Sequence, residues 1–284
     1  MKFKRILITL LLTSSLTACM GVKFSYNNLD WFVPWYLDDY LQLNDQQEDA
    51  FDAHLKVIWN WHRHNQLPQY STLLNEIISD LDKQQVTLER LHYYGEQTNS
   101  FYHKVIHKAL QEGLPLLQSL DEPQLKELYE NFDETDQEFK EYFADNDLKQ
   151  REKKQLKSIN KTFKKWIGKL TKKQKRLLKA WTKETESTIE LRIQYSEKVR
   201  LAFKQAMSGR KNTEQMRKQL LLLATQPGLL QSKELTDKRE RNNQRFRQLL
   251  LDTLSTLSKK QQKKLRRKIL SYAEDFSDLS VKTD

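Results

Sequence analysis

Apolar positions along this chain recur at intervals of three and four residues. Phe51, Leu55, Ile58, Trp59 and His62 follow i, i+4, i+7, i+8, i+11, and Tyr70, Leu73, Leu74, Ile77, Ile78 and Leu81 repeat the stripe more cleanly. Such spacing gathers apolar side chains on one face of an α-helix. Further stripes run from Leu91 to Ala109, from Leu125 to Phe143 and from Leu156 to Leu170. A long segment from Thr171 to Ser208 carries Leu177, Leu178, Trp181, Val199 and Phe203, and shorter stripes lie near Met216–Ala224, Arg239–Leu257 and Leu265–Phe276. No run alternates apolar and polar residues as a half-buried strand does. The pattern predicts an all-α fold, an elongated multi-helix bundle of about nine or ten helices.

The punctuation agrees. Six Gly and five Pro in 284 residues are too few for a β sandwich or barrel, which turns every eight to twelve residues or so. Pro68, Pro115, Pro123 and Pro227 are expected at or near helix starts, where a missing N–H costs nothing. Pro34 is expected to open a helix through Trp35, Tyr36, Leu37 and Tyr40, and Gly113, Gly209 and Gly228 to mark ends or turns.

Four helix starts share one form: Leu43-Asn44-Asp45-Gln46-Gln47, Leu120-Asp121-Glu122-Pro123-Gln124, Leu170-Thr171-Lys172-Lys173-Gln174 and Leu257-Ser258-Lys259-Lys260-Gln261. Each has Leu, a capping residue, and Gln three positions after the cap, which is a capping box. Leu120 with Leu125 also fits a hydrophobic staple. Three readings stand open: independent caps, an old helical-hairpin duplication, or a resemblance to the L-T-x-x-Q signature of small periplasmic chaperones of the Spy and CpxP type. Leu170–Gln174 matches that signature fully.

The N-terminus sets the compartment. Lys2, Lys4 and Arg5 precede an apolar stretch from Ile6 to Leu12 broken only by Thr9, followed by small residues to Ala18. That is the layout of a secretory signal peptide, too short to span a bilayer. It ends in Leu16-Thr17-Ala18-Cys19, which resembles a bacterial lipobox. The resemblance implies cleavage before Cys19, a diacylglyceryl thioether on its sulfur, and acylation, palmitate included, of the new amino group. Several acyl chains make a stable anchor where one is marginal. Met20 rather than Asp follows the Cys, which by resemblance to Gram-negative lipoproteins implies the periplasmic leaflet of the outer membrane. The chain has no other Cys, so an intramolecular disulfide and multi-cysteine metal sites are excluded.

The segment Asn27 to Tyr40, rich in aromatics and followed by Leu43–Gln47, resembles uncharacterised Gram-negative lipoproteins grouped as domain of unknown function 6279, most strongly over residues 19–65. The resemblance implies a helical envelope lipoprotein and supplies no catalytic residues. Trp31 and Trp35 suit either core packing, the favoured expectation, or a membrane interface.

The formal net charge of +11 is unevenly spread. Residues 20–147 hold 9 Lys+Arg and 24 Asp+Glu, a net of -15, and residues 148–284 hold 37 and 14, a net of +23. The chain therefore divides into a signal peptide (1–18), an anchor and aromatic segment (19–43), an acidic half (44–147) and a basic half (148–284), the halves facing each other within one molecule or between two. In a cytosolic protein the basic runs, interleaved with Trp166, Trp181 and Tyr195, would suggest nucleic acid. In the periplasm the partner is instead an anionic envelope component or an acidic protein. Lys164, Lys165, Lys172, Lys173, Lys175, Arg176, Lys263, Lys264, Arg266 and Arg267 are the candidate surface for it.

His103 and His107 lie i, i+4 on one predicted helix face with Glu96 two turns earlier, a weak metal candidate. Residues 104–106 are Lys-Val-Ile, so the H-E-x-x-H pattern fails. A metal-dependent hydrolase would need these histidines and carboxylates to converge. No nucleophile elbow, dinucleotide fingerprint or P-loop is present. No cofactor is implied, and no feature of the chain specifies an oligomeric state. The sequence points to a non-enzymatic, lipid-anchored binding or scaffold protein, with a periplasmic chaperone that holds unfolded clients as the alternative.

Overall fold

A computed structural model describes residues 21–144 and 147–281. The expected signal peptide and lipobox, Cys19 included, lie outside the described residues. Among those residues all regular structure is helical: α1 (Gly21–Asn27), α2 (Leu29–Leu37), α3 (Asp45–Asn65), α4 (Leu67–Asp82), α5 (Leu88–Ser119), α6 (Glu122–Ala144), α7 (Leu148–Ile167), α8 (Lys172–Glu184), α9 (Ile189–Ser208), α10 (Thr213–Thr225), a 3-10 turn (Pro227–Leu229), α11 (Lys233–Leu254) and α12 (Lys259–Ser280). The chain is all-α as expected, with more helices than nine or ten.

Two breaks account for much of the excess. The aromatic segment forms two short helices, and the long segment Thr171–Ser208 is cut between α8 and α9. At the cut Thr185 is extended, with φ -68° and ψ 120°. Asn242 of α11 takes over the freed backbone of Glu186: its side chain accepts from the Glu186 N–H at 2.9 Å and donates to the Glu186 carbonyl at 2.9 Å. Arg241 and Arg245 grip the Glu186 carboxylate and draw its pKa down to about 2. A polar knot from another helix therefore overrides a local pattern that would have run on.

Pro68 and Pro123 sit at the second positions of α4 and α6, as helix starts allow. Pro34 and Pro115 instead lie inside α2 and α5, and Gly113 is inside α5 as well. The carbonyls that the two prolines leave without a donor belong to Asp30 and Gln111, both exposed, so water replaces the missing bonds.

The four capping boxes are not independent. In each, the Gln carbonyl oxygen accepts from the cap's own backbone N–H, at 3.0–3.1 Å. The boxes then join in pairs through their Gln amides. Gln47 Nε2 donates to Gln124 Oε1 at 3.1 Å and Gln124 Nε2 returns a bond to Gln47 Oε1 at 2.7 Å. Gln174 and Gln261 form the same ring, at 3.1 and 2.9 Å. Each amide spends its second N–H on the backbone carbonyl two residues before its partner's cap: Gln47 on Ser119, Gln124 on Gln42, Gln174 on Thr256 and Gln261 on Lys169. Both donors and both acceptor sites of every Gln are thus used, which permits burial of Gln47, Gln174 and Gln261.

Each clamp sits in its own core. Leu120, Leu125 and Leu128 pack with Leu41, Leu114, Met207 and Met216 around the first, and Leu43 closes on the same cluster. Leu170 and Leu178 pack with Phe163, Ile167 and Leu249 around the second, with Leu257 and Leu265 against them. The box leucines are what attach each clamp to apolar surroundings. Burying one such side chain stabilises the fold by roughly 1.5–3 kcal/mol.

The helix α5, about 48 Å long at 1.5 Å per residue, joins the two regions. It packs on α3 and on α10 and α11. The C-terminal helix α12 runs antiparallel to α4: Tyr70 meets Phe276, Ser71 Oγ donates to the Ala273 carbonyl at 2.8 Å, and Arg266 pairs with Asp82. The acidic and basic halves therefore pack on each other within one chain, through α4 with α12, α5 with α10, and α6 with α9.

Where α3 turns into α4, an aromatic cluster fastens α1. The Tyr26 hydroxyl meets His62 Nδ1 at 3.0 Å, and Tyr70 meets His62 Nε2 at 3.2 Å. The buried Arg63 guanidinium stacks over Tyr26 and Trp59. Burial holds the His62 imidazole down to about 4 and pushes the Tyr26 phenol up to about 12.

Replacing either Gln174 or Gln261 by Ala strands buried partners, and each single change is expected to cost about 1–3 kcal/mol. In urea unfolding the double variant should lose clearly less than the sum, the signature of direct coupling. Simple additivity would show that the amides do not pair. For His62 the folded pKa lies below the ordinary value of 6.5, so the unfolded chain takes up the proton first. Stability is then lost as pH falls from about 6.5 to about 4. The loss is about 2 kcal/mol after allowance for partial solvation of the ring, and His62→Gln should flatten that limb of the thermal-unfolding profile.

Candidate anion-binding surface

The second clamp brings remote basic runs together. Lys164 and Lys165 lie in the last turn of α7, Lys172 and Lys173 in the first turn of α8, and Lys263, Lys264, Arg266 and Arg267 in the early turns of α12. Gly168, in the left-handed region at φ +87°, makes the turn from α7 towards α8. Lys264 lies 3.5 Å from where a Gly168 Cβ would stand and reaches the Lys164 carbonyl at 3.4 Å. Runs a hundred residues apart in sequence thus form one basic pole.

Not all candidate residues are alike there. Arg266 is taken by Asp82 at 2.9 Å, and Lys264 is partly buried against α7. Lys164, Lys165, Lys172, Lys173, Lys175, Arg176, Lys263 and Arg267 are exposed, and none is within ion-pair distance of a described carboxylate. Lys169, Lys259 and Lys260 lie in the same region, and clustered charge in the sequence signals all three. From residue 153 to 183 the chain carries 13 Lys+Arg and no Asp or Glu, and from 253 to 273 it carries 7 and none.

Elsewhere a few residues of the basic half pair with the acidic one. Arg200 pairs with Asp133 at 2.8 Å and Asp136 at 2.9 Å, and Arg210 pairs with Glu122 at 2.6 Å. In the opposite sense Lys140 pairs with Glu197 at 2.7 Å, and Lys23 with Asp275 at 3.4 Å and Asp278 at 2.6 Å.

The two clamps have the same hydrogen bonds and opposite electrostatics. At the first, Asp45, Glu48 and Glu122 occupy the first turns of α3 and α6, where the helix dipole favours negative charge. At the second, neither α8 nor α12 has an acidic residue in its first turn, and lysines stand there instead. Each lysine at a positive helix end is unfavourable by roughly 0.3–1 kcal/mol. The second clamp therefore concentrates positive potential at a local cost to stability, an arrangement suited to holding a negative ligand.

His103 and His107 line a shallow cleft on α5 with Trp61, Glu96 and Lys104. Glu96 faces His92 at 3.3 Å, and among the described residues no three His, Cys, Asp or Glu gather as metal ligands. The structure also corrects the favoured core packing of the aromatic start. Leu37 and Tyr40 do pack against the first core. Trp31, Trp35 and Tyr36 are exposed, with Trp31 at 61%, and the two indoles stack 6.2 Å apart. They lie on the face of α2 turned from that core, a side the periodicity of so short an element left unassigned.

These features define an all-α protein whose helix starts are tied in pairs by glutamine. The chain belongs to the family of unknown function DUF6279, whose model matches residues 39–236. The match begins at residue 39, so it covers only the later part of residues 19–65, where the sequence resemblance is placed, leaves most of the aromatic segment Asn27–Tyr40 outside, and extends far beyond residue 65. It takes in the whole first clamp and the α8 box, and ends within α11. Among curated proteins and solved structures nothing matches.

If the unpaired lysines repel one another, removing them should not harm the fold. Lys172→Ala and Lys263→Ala are expected to leave stability within about 0.5 kcal/mol of wild type or to raise it. Arg200→Ala, which removes the ion pairs to Asp133 and Asp136, should cost about 0.5–1 kcal/mol. Denaturant midpoints of the three variants check the contrast.

Proposed function

We propose that this protein is a non-enzymatic, lipid-anchored binding or scaffold protein of the outer membrane's periplasmic leaflet that presents a basic helical pole to an anionic partner. The observation that carries the reading is the second clamp: two helix N-termini converge there, dressed with exposed lysines that no described carboxylate neutralises. The lipobox Leu16–Cys19 supports the anchor. The exposed Trp31, Trp35 and Phe24 supply aromatic rings of the kind that settle at a membrane interface, close to where the tether would attach.

A distance along α12 supports one class of partner. Lys23 of α1 pairs with Asp278 near the end of α12, whereas Lys264 stands near its start. Fourteen residues of helix separate the two by roughly 20 Å, more than twice the Debye length of about 8 Å at physiological salt. Headgroups of the anchoring leaflet met at α1 and α2 are then screened from the pole. A soluble anionic envelope component or an acidic protein suits it better.

Poly-L-glutamate and anionic phosphatidylglycerol vesicles serve as probes in solution. Wild type should bind polyglutamate with an affinity that falls steeply with salt. A variant carrying Lys172→Glu, Lys173→Glu, Lys263→Glu and Arg267→Glu should lose at least tenfold, and equal binding by the two would refute the pole. Incorporation of labelled palmitate in wild type but not in Cys19→Ser checks the anchor. The chaperone alternative predicts suppression of light scattering from an aggregating client, undiminished in the charge-reversed variant.

A further inference from the structure

Between the acidic and basic halves lies a cavity of about 570 Å3, within the ~300–1,000 Å3 that small-molecule sites occupy. Ile77, Leu81 and Leu91 of the acidic half wall one side, and Phe163, Leu250 and Ile269 of the basic half the other. Tyr94 lines it as well, with its hydroxyl turned away to donate to Asp80. So large an apolar space between well-packed helices forgoes dispersion contacts that protein interiors normally make.

Thr253 is the exception in its wall. It is 4% exposed, and its hydroxyl has no hydrogen-bond partner. Thr72, Thr98, Thr135, Thr182 and Thr225 all turn their hydroxyls onto the carbonyl four residues back. Thr253 makes no such bond, so a buried polar group stands unsatisfied in a mostly apolar lining.

The cavity shares Leu81, Val86, Leu254, Leu257 and Leu265 with a polar cleft of about 590 Å3. Lys259, Lys263 and Arg266 line that cleft, with Asp82 and Asp252. Asp82 is committed to Arg266, and Asp252 accepts from Gln248 at 2.8 Å. Lys259 and Lys263, one helical turn apart and exposed, have no described carboxylate partner. An apolar chamber thus adjoins a polar mouth that holds three cations and two carboxylates, an excess of one positive charge.

We infer that this cavity binds a single-chain anionic amphiphile, a long-chain fatty acid, with its alkyl chain between the halves and its carboxylate at Lys259 and Lys263. The inference does not depend on the pole's partner or on the lipid anchor. The ligand fills the space that the halves leave between them, and its chain length is set by the distance from the mouth to Phe163 and Leu250.

Calorimetric titration of the full chain carrying Cys19→Ser with octanoate, decanoate, dodecanoate and tetradecanoate tests it. Binding should be one to one, and affinity should rise roughly tenfold per two methylenes until the cavity is full. Gly95 lines the cavity, and a Cβ there would meet no atom within 4 Å. Gly95→Leu therefore adds bulk at the edge of the cavity with no clash at its Cβ, and should weaken dodecanoate at least tenfold at an unchanged or raised unfolding temperature. Lys259→Ala with Lys263→Ala should weaken dodecanoate several-fold and leave dodecanol unaffected. Absence of saturable binding, undiminished binding by Gly95→Leu, or equal affinity for dodecanol and dodecanoate in the parent protein overturns the assignment. Tighter binding of lysophosphatidylglycerol than of tetradecanoate overturns the choice of a carboxylate.

Discussion

The architecture depends on one recurring interaction, the reciprocal pairing of glutamine amides across two helix starts. A capping box by itself fixes where one helix begins. Here the same side chain that closes the box also closes a ring with its counterpart and reaches the backbone beyond it. Three tasks fall on one residue: ending a loop, starting a helix and fixing a second helix start in register with the first. Because every polar atom of the amide is used, the pair can be buried, and burial in turn removes water that would compete for those bonds. Each ring closes a long stretch of chain, α3 to α5 in one case and α8 to α11 in the other, and each is enclosed by its own leucine-rich core. Contacts along α5 and between α4 and α12 then join the two regions.

Using one geometry twice makes the difference in charge informative. The first clamp carries acids where helix dipoles favour them. The second carries lysines where dipoles oppose them, beside the basic end of α7. Backbone hydrogen bonding does not require this, since the first clamp achieves the same bonds without it. Sequences selected for stability alone place opposite charges at such ends. A departure from that rule at one of two equivalent sites is what the proposed binding role would account for. The charge imbalance between the halves is reconciled in part within the molecule, as Arg200 and Arg210 show, and the two runs that lack Asp and Glu meet at the pole.

Much of the fold was legible in the sequence. Helical periodicity over 51–62, 70–81, 91–109 and 125–143 announced α3 to α6, because long amphipathic stripes carry their own register. The capping boxes announced four helix starts, because a cap is a local contact within four residues. What was not legible depended on distant residues. The break at Thr185–Thr188 follows from Asn242, Arg241 and Arg245 gripping Glu186 from α11. The exposure of Trp31 and Trp35 follows from which side of a nine-residue helix meets the first core. Pro115 lies inside α5 because the bond it removes falls on a solvated residue.

The candidate surface divides in the same way. By itself the sequence determined the helical class, the four helix starts, the basic runs and the sign change near Asp147, all of which rest on composition or on spacings of a few residues. Only the tertiary structure decided which boxes pair, which basic residues are neutralised and which converge at one pole. It also decided that the joined halves enclose an apolar cavity. Pairing, neutralisation and enclosure require groups separated by 60 to 200 residues to come within a few ångströms, and no local pattern encodes which of the chemically similar partners will meet.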